Sequence, residues 1–199
     1  MEVIRHKYVD VCIYNAAKKG NYESGDSYFT IATDEYFVCA VADGLGNGPV
    51  ARLASQVIPT ILMEHHHETV DDLMSRFNDE MFQKRGAAVA MFKVYFGEKH
   101  FDYSCVGNIR FYLYRRETDE LVYPLPVMGY LSGRPQKLRT QRFPYSAGDL
   151  FLIHSDGVEL RNPKSMMRRA GIPEQLYRDI FKAIETGDDA TFITGSLLH

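Results

Sequence analysis

The sequence has few cysteines and no long apolar run. Its three cysteines, Cys12, Cys39 and Cys105, lie far apart and lack the spacing of zinc ligands. We interpret them as reduced residues of the core or of a sheet, which excludes a disulfide-stapled scaffold. No stretch approaches the roughly 18 consecutive apolar residues of a membrane-spanning helix, and the N-terminal segment lacks the apolar stretch of a secretory signal. We therefore expect a cytoplasmic protein without a membrane partner.

A strong excess of positive charge is also missing. Lys and Arg together number 23 and Asp and Glu 26, which gives a formal net charge of −3. Because nucleic-acid-binding domains usually carry a basic excess, no nucleic-acid partner is expected. Apolar residues make up 45% of the 199 residues and charged residues 25%, a mix typical of globular proteins. In the absence of repeats, low-complexity tracts and linkers, the sequence predicts one domain over residues 1–199.

The hydrophobic pattern groups strands and helices into blocks. Strands come first, then two helices, a long series of strands, two further helices and one last strand. The first block contains a predicted hairpin with strands over 27–33 and 36–42. Since single strands rarely alternate with single helices, a doubly wound parallel sheet is not expected. The pattern favours an α+β fold in which packed antiparallel sheets carry helices on their outer faces.

Individual residues refine the expected helices. An apolar stripe follows Pro49, and Pro59 is expected to bend the helix that carries it. The second helix is expected to begin at Thr69, with Asp72 placed for a capping contact. Later helices are predicted over 163–170 and 173–185.

Four short segments place aspartate at the end of a strand or the start of a loop, mostly beside glycine. A single Asp-Gly pair is usually only a turn, so the set matters more than its members. Carboxylates that meet in one cleft repel one another unless cations neutralise them, and hard divalent cations prefer carboxylate and carbonyl oxygens. The set therefore predicts an oxygen-rich centre for two metal ions. The segments are Gly25-Asp26-Ser27, Asp43-Gly44-Leu45-Gly46, Ser155-Asp156-Gly157 and Gly187-Asp188-Asp189-Ala190-Thr191.

The ordered motifs resemble the PPM family, the metal-dependent type 2C serine/threonine protein phosphatases, and within it the bacterial SpoIIE-like branch. The resemblance covers the chain from about Tyr8 to Leu197. It implies a four-layer α/β/β/α sandwich of two antiparallel β-sheets flanked by helices, with a metal cleft at one end. The acidic motifs are specific, whereas the glycine-only motifs are not. The segments are Gly25-Asp26-Ser27, Val41-Ala42-Asp43-Gly44-Leu45-Gly46, Gly86-Ala87-Ala88, Val106-Gly107-Asn108, His154-Ser155-Asp156-Gly157 and Asp188-Asp189-Ala190-Thr191.

The resemblance also implies roles for individual residues. Asp43 would bridge the two metal ions, and the carbonyl oxygen of Gly44 would bind one of them. Asp156 and Asp188 would hold the other ion. Asp43 and Asp156 are thus the expected catalytic residues.

Two further aspartates complete the implied site. Asp26 lies where the family has an acidic residue that contacts a metal directly or through water. Asp189 aligns with a position that is often asparagine, so it ranks below Asp188 as a ligand. The implied cofactor is a pair of Mn²⁺ or Mg²⁺ ions, with no other cofactor expected.

The activity implied by the resemblance is hydrolysis of phosphoserine or phosphothreonine on proteins by a metal-activated water. The implied substrates are phosphorylated STAS-domain proteins, the scaffold and antagonist of a bacterial stress-signalling complex (the stressosome of a sigma-B type pathway). A monomer is expected. Two alternatives stay open: a pseudo-phosphatase that binds phosphoproteins without catalysis, and a phosphomonoesterase for small molecules.

The chain departs from the family at a position that binds phosphate. Many type 2C enzymes carry an arginine shortly before the first acidic motif, whereas residues 21–24 contain none. The metals or another cation would then bind phosphate; Arg110 is either such a cation or a surface residue of the sheet. His154, close to Asp156, is either a proton donor or a buried, hydrogen-bonded histidine. The run His65-His66-His67 is expected at an exposed helix end rather than in a metal site.

Overall fold

The computed structural model describes residues 1–184 and 187–198, and within them it contains eleven strands and five helices. The strands are β1 (Glu2–His6), β2 (Val9–Ala16), β3 (Asp26–Ala32), β4 (Tyr36–Gly44), β5 (Ala87–Tyr95), β6 (His100–Val106), β7 (Arg110–Arg115), β8 (Glu120–Val122), β9 (Thr140–Pro144), β10 (Leu150–His154) and β11 (Ala190–Leu197). The helices are α1 (Pro49–Ser55), α2 (Val57–His65), α3 (Val70–Glu80), α4 (Pro163–Ala170) and α5 (Pro173–Phe181).

The strands form two antiparallel sheets. The first has six strands in the order β1-β2-β11-β10-β7-β8, and the second has five in the order β3-β4-β5-β6-β9. Aromatic side chains fill the space between the sheets. The ring of Phe92 lies at the centre of this core, with its centroid 4.9 Å from that of Phe111 and 5.0 Å from that of Phe151. Such aromatic pairs add to the stabilisation that burial of apolar surface provides.

Helices cover the outer faces of both sheets. α1, α2 and α3 pack on the five-stranded sheet through residues such as Ile58, Leu73 and Phe77. α4 and α5 pack on the six-stranded sheet through residues such as Met167 and Leu176. The layers therefore run α/β/β/α, which confirms the predicted α+β sandwich. None of the helices in the described part of the chain has both the length and the apolar character needed to cross a bilayer.

Strand β4 shows why its sequence is apolar at consecutive positions. Its odd-numbered residues, 37 to 41, face the core between the sheets. Its even-numbered residues, 38 to 42, face the helical layer. Because successive side chains point to opposite faces, a strand between two apolar layers has no polar position until Asp43. The predicted hairpin of β3 and β4 is confirmed.

Two differences from the predicted elements have simple causes. The edge strand Glu2–His6 was not predicted, because its residues are mostly exposed and carry no alternating apolar pattern. The helix expected to bend at Pro59 is instead two helices separated at Gln56. Since Pro59 has no N–H, it cannot donate to the carbonyl group of Ser55, four residues earlier, where α1 ends.

The C-terminal elements differ from the predictions mainly in length. The helix predicted over 163–170 has those bounds in the structure. The helix predicted over 173–185 ends at Phe181, and Glu185, the predicted end, lies outside the described residues. Differences of a few residues at element ends are common, because the last turn of a helix carries few hydrogen bonds.

Thr69 caps α3 as predicted, and its removal should weaken the fold. Its Oγ1 accepts a hydrogen bond from the backbone N–H of Asp72 at 3.2 Å. We expect Thr69→Ala to lower the free energy of unfolding by about 1 kcal/mol, measured by urea unfolding. Ser75→Ala on the exposed face of the same helix is the control, since Ser75 donates only to the carbonyl of Asp71. Equal losses in both variants would contradict the capping role.

Candidate metal centre

Asp26 and Asp43 lie opposite each other at one end of the β3–β4 hairpin. Their Cα atoms are direct partners in the strand register. Asp26 is 1% exposed, and Asp43 is partly buried. The hairpin turn is at the other end of the two strands, so both carboxyl groups are presented at the open end of the sheet.

Ser155 connects Asp26 to the other sheet. Its Oγ donates a hydrogen bond to Asp26 Oδ2 at 2.6 Å and accepts one from the backbone N–H of Thr191 at 3.0 Å. Asn15 Nδ2 in turn donates to Thr191 Oγ1 at 2.7 Å. Because a buried carboxyl group needs hydrogen-bond partners, this chain of bonds holds Asp26 in place between the two sheets.

Asp156 is exposed and is held by Asn108. It follows strand β10, and Asn108 Nδ2 donates to Asp156 Oδ2 at 2.7 Å. Asn108 lies in the turn before β7, which pairs with β10. Gly157 allows the loop to pass close to the last acidic motif: a Cβ atom at Gly157 would lie 1.9 Å from the carbonyl oxygen of Asp189, so only glycine fits there.

The neighbouring residues Asp188 and Asp189 have different partners. Asp189 Oδ1 accepts from the backbone N–H of Lys18, and Oδ2 accepts from that of Gly25, both at 2.8 Å. Asp188 is exposed, and its Oδ1 accepts from the backbone N–H of Asp189 at 2.9 Å. Asp189 therefore connects the loop before β3 to the start of β11, whereas the Asp188 carboxylate faces solvent. A cavity of about 580 Å³ opens beside Asp156 and Asp188.

The backbone at Gly44 packs tightly against α1. A Cβ atom at this position would lie 1.9 Å from the carbonyl oxygen of Ala51, which explains why glycine follows Asp43. The N–H of Gly44 donates to the carbonyl of Gly25 at 3.3 Å, and that of Leu45 donates to Gly86 at 2.9 Å. The first two acidic motifs and the Gly86 motif are thus joined through their backbones.

Burial and neighbouring carboxylates raise the pKa values of Asp43 and Asp26. Burial raises the pKa of Asp43 to about 8, and the negative charges of Asp26, Asp156, Asp188 and Asp189 add to the shift. Burial also raises the pKa of Asp26 to about 6, while the hydrogen bond from Ser155 opposes the shift. Repulsion of this kind is expected where several carboxylates meet without a cation.

The donor chemistry of this cluster fits hard divalent cations, although the cluster is open. Within residues 1–184 and 187–198, no three His, Cys, Asp or Glu side chains form a ready metal-binding group. The aspartates nevertheless lie close enough to raise the pKa of Asp43 together, and a cation would relieve that repulsion. Carboxylate oxygens with a nearby backbone carbonyl are the ligands that Mg²⁺ and Mn²⁺ prefer.

The structure thus brings every predicted site residue to one end of the sandwich, and it adds two partners that the sequence did not assign. Ser155 holds Asp26, and Asn108 holds Asp156. Both belong to the short motifs around the aspartates, but their hydrogen bonds join distant parts of the chain. Sequence spacing alone therefore gave no signal for these pairings.

His154 is buried and hydrogen-bonded, which is one of the two roles predicted for it. Its Nδ1 lies 2.8 Å from the carbonyl oxygen of Ser155. Burial lowers its pKa to about 4, so the ring is neutral near pH 7 and is a poor proton donor.

The run His65-His66-His67 lies at the C-terminal end of α2, as expected. The carbonyl oxygens of His66 and His67 accept hydrogen bonds from Lys93 Nζ, and His66 Nδ1 lies 2.9 Å from the hydroxyl of Tyr36. These contacts fix the end of the helix, and His65 Nδ1 lies 3.0 Å from a carboxylate oxygen of Glu68.

Two antiparallel sheets between helical layers, with aspartates at one end, are the arrangement that the resemblance to the metal-dependent serine/threonine phosphatases implies. The sequence profile described as Stage II sporulation protein E (SpoIIE) matches residues 33–196. The chain therefore belongs to the SpoIIE family. The predicted family and phosphatase class are confirmed.

Individual relatives agree with this assignment. The chain is 36% identical over 199 residues to the phosphoserine phosphatase RsbX of Bacillus subtilis (strain 168), covering 99% of both chains. A crystal structure of RsbX in complex with magnesium matches with a TM-score of 0.95 over 98% of both chains, also at 36% identity. A structure reported in a study of the bacterial stressosome matches with a TM-score of 0.84 at 28% identity, over 94% of this chain and 98% of that one. The magnesium in that RsbX structure is one of the two kinds of ion predicted for this chain.

Proposed function

We propose that this chain removes phosphate from phosphoserine or phosphothreonine on STAS-domain proteins of a bacterial stress-signalling complex. The observation that carries the proposal is the convergence of Asp26, Asp43, Asp156 and Asp188, which come from four separate segments of the chain. The strand pairing of Asp26 with Asp43, and the hydrogen bond to Asp26 from Ser155, the neighbour of Asp156, support this convergence. The relatedness to RsbX and to a structure from a stressosome study supports the choice of substrate class.

The proposed ligands are the ones that the resemblance to the PPM family implies. Asp43 and the carbonyl oxygen of Gly44 would bind the first metal ion, and Asp43 would be shared with a second ion held by Asp156 and Asp188. When bound, the two ions activate a water molecule for attack on phosphorus and neutralise charge on the phosphoryl oxygens. Asn108, which donates a hydrogen bond to the Asp156 carboxylate, would hold that ligand in position.

Asp26 and Asp189 would have supporting roles beside these ligands. Asp26, held by Ser155, would contact an ion directly or through water. Asp189 uses both oxygens to accept backbone hydrogen bonds, and this favours Asp188 over Asp189 as the ligand from the last motif. Each carboxylate oxygen has a second lone pair, so Asp189 stays in the proposed set at lower rank.

The neighbouring aspartates provide a test of these separate roles. We expect Asp188→Asn to lower Mn²⁺ affinity and phosphate release by roughly a hundredfold or more, with little change in metal-free stability. We expect Asp189→Asn to reduce the free energy of unfolding by about 1–3 kcal/mol, because its amide group cannot accept from both Lys18 and Gly25. Calorimetric metal titration and urea unfolding measure the two effects, and the reverse pattern would contradict the assignment.

The decisive experiment is dephosphorylation of purified, phosphorylated STAS-domain proteins with Mn²⁺, with Mg²⁺ and with a chelator. We expect metal-dependent release of phosphate. Binding without release would indicate a pseudo-phosphatase, and faster hydrolysis of free phosphoserine than of the phosphoprotein would indicate a small-molecule phosphomonoesterase. No release from any of these substrates would contradict the proposed function.

We also infer a single domain over residues 1–199, a monomer in solution and a location in the cytoplasm. The single core between the two sheets supports the first of these inferences. Analytical ultracentrifugation measures the oligomeric state, and fractionation of the native cell measures the location.

A further inference from the structure

A groove with apolar walls begins beside the acidic centre. It has a volume of about 360 Å³ and starts at Leu45, directly after the Asp43-Gly44 pair. Asn108, the residue that holds Asp156, lines the same groove. Asn108 and Arg110 also line a cavity that includes Asp156, so the groove borders the acidic centre. Its remaining wall is formed mainly by Tyr123, Pro126, Met128 and Tyr130.

The apolar side chains of this wall are exposed although their backbone is fixed. Met128 is 84% exposed and Tyr130 46%. On one side of them, the carbonyl oxygen of Val127 accepts from the N–H of Gly107 at 2.9 Å, and on the other, Leu131 and Ala87 exchange two backbone hydrogen bonds of 2.9 and 3.0 Å. A tethered segment that keeps large apolar side chains in water is typical of an interaction surface.

The inner end of the groove carries a positive charge. Arg110 lines the groove and also a neighbouring cavity of about 420 Å³ that includes Asp156 and His154. In the described part of the chain, Arg110 is exposed at the start of β7 and has no salt bridge and no side-chain hydrogen bond. A guanidinium group without a partner favours an anionic ligand at this end, since it offers five N–H donors in a geometry that suits phosphate.

We propose that this groove, bounded by Tyr123, Met128 and Tyr130, binds the polypeptide segment next to the phosphorylated residue of the substrate. The proposal rests on the proposed function and names the substrate chemistry: an apolar side chain beside the phosphoserine packs against Met128 and Tyr130. The phosphate end of the segment points toward Arg110 and the aspartates. Burial of one apolar side chain on this wall provides selection among phosphoproteins that the metal centre itself does not provide.

Two synthetic phosphoserine peptides test the groove directly. They are identical except that the residues flanking phosphoserine are leucine in one and serine in the other, and p-nitrophenyl phosphate serves as a substrate without a polypeptide segment. We expect the wild-type chain with Mn²⁺ to prefer the leucine peptide by roughly tenfold in kcat/KM. A double variant, Met128→Ser with Tyr130→Ser, should lose this preference and keep the wild-type rate on p-nitrophenyl phosphate.

Matched variants separate the groove from general effects of surface change. Met63→Ser removes an exposed methionine from α2, 64% exposed and away from the groove, and should keep the preference. Arg110→Gln should lower kcat/KM on both peptides by the same factor and leave their ratio unchanged. A changed ratio in this variant with unchanged rate on the serine peptide would contradict the proposed orientation.

The remaining outcomes overturn either the groove proposal alone or both proposals together. Equal rates of the wild-type chain on the two peptides would reject the groove while leaving the phosphatase function intact. If the double variant converted a dimer into a monomer in ultracentrifugation, the groove would belong to a contact between copies of this chain. No hydrolysis of either peptide or of p-nitrophenyl phosphate by the wild type would reject the proposed function, and the groove proposal with it.

Discussion

Asp43→Asn is expected to abolish phosphate release, with a loss of roughly a thousandfold or more, while the fold stays intact. The negative charges of the other aspartates add to the raised pKa of Asp43. Asp43 is also the proposed bridge between the two metal ions. Asparagine keeps the size of the side chain but removes the negative charge that would hold two cations. Because metal activation of water and neutralisation of phosphoryl charge are both lost, the effect should exceed that of losing a single hydrogen-bond donor.

The control for this prediction lies on the same hairpin. Asp34 is in the turn at the opposite end of β3 and β4, where it forms an exposed salt bridge of 2.8 Å with Lys7. Asp34→Asn should retain wild-type activity, since exposed ion pairs contribute little. Phosphate release from p-nitrophenyl phosphate with Mn²⁺, together with the far-ultraviolet circular dichroism of each variant, provides the measurement. Full activity in Asp43→Asn would reject the assigned metal centre.

The position of Asp43 illustrates what could be predicted from the sequence. Consecutive apolar residues ending in Asp-Gly predict a strand buried on both faces that delivers a carboxylate to its end, and β4 has this arrangement. The sandwich was predictable for a similar reason: strands and helices occur in blocks, and the apolar spacing within each block matches the period of its element.

Other features depend on contacts that no local pattern encodes. The hydrogen bond from Ser155 to Asp26 joins residues 129 positions apart, and it requires two sheets to stack with their open ends aligned. The different roles proposed for Asp188 and Asp189 likewise depend on where the backbone N–H groups of Lys18 and Gly25 point. The motif places two carboxylates side by side but does not distinguish them.

The second large effect concerns stability in the absence of metal. We expect the metal-free protein to lose up to about 2 kcal/mol of unfolding free energy as the pH rises from about 6.5 to about 8. The pKa of Asp43 is raised from 3.8 to about 8 in the folded state, so across this range the folded chain binds more protons than the unfolded chain. A higher pH therefore favours unfolding. Below pH 6.5 His154 has the opposite effect on stability, because its pKa is lowered from 6.5 to about 4 in the folded state. The measurement therefore starts at pH 6.5.

Urea unfolding at several pH values, with a chelator and with saturating Mg²⁺, tests this expectation. Bound Mg²⁺ should abolish the decline and raise stability, because the cation keeps the carboxylates ionised and binds only the folded state. Asp43→Asn without metal should show no decline and should be more stable than the wild type at pH 8, whereas Asp34→Asn should follow the wild type. The residue that is most needed for catalysis would then be the one that most destabilises the metal-free fold. A flat profile for the metal-free wild type would instead mean that the aspartates do not repel one another strongly enough to require a cation.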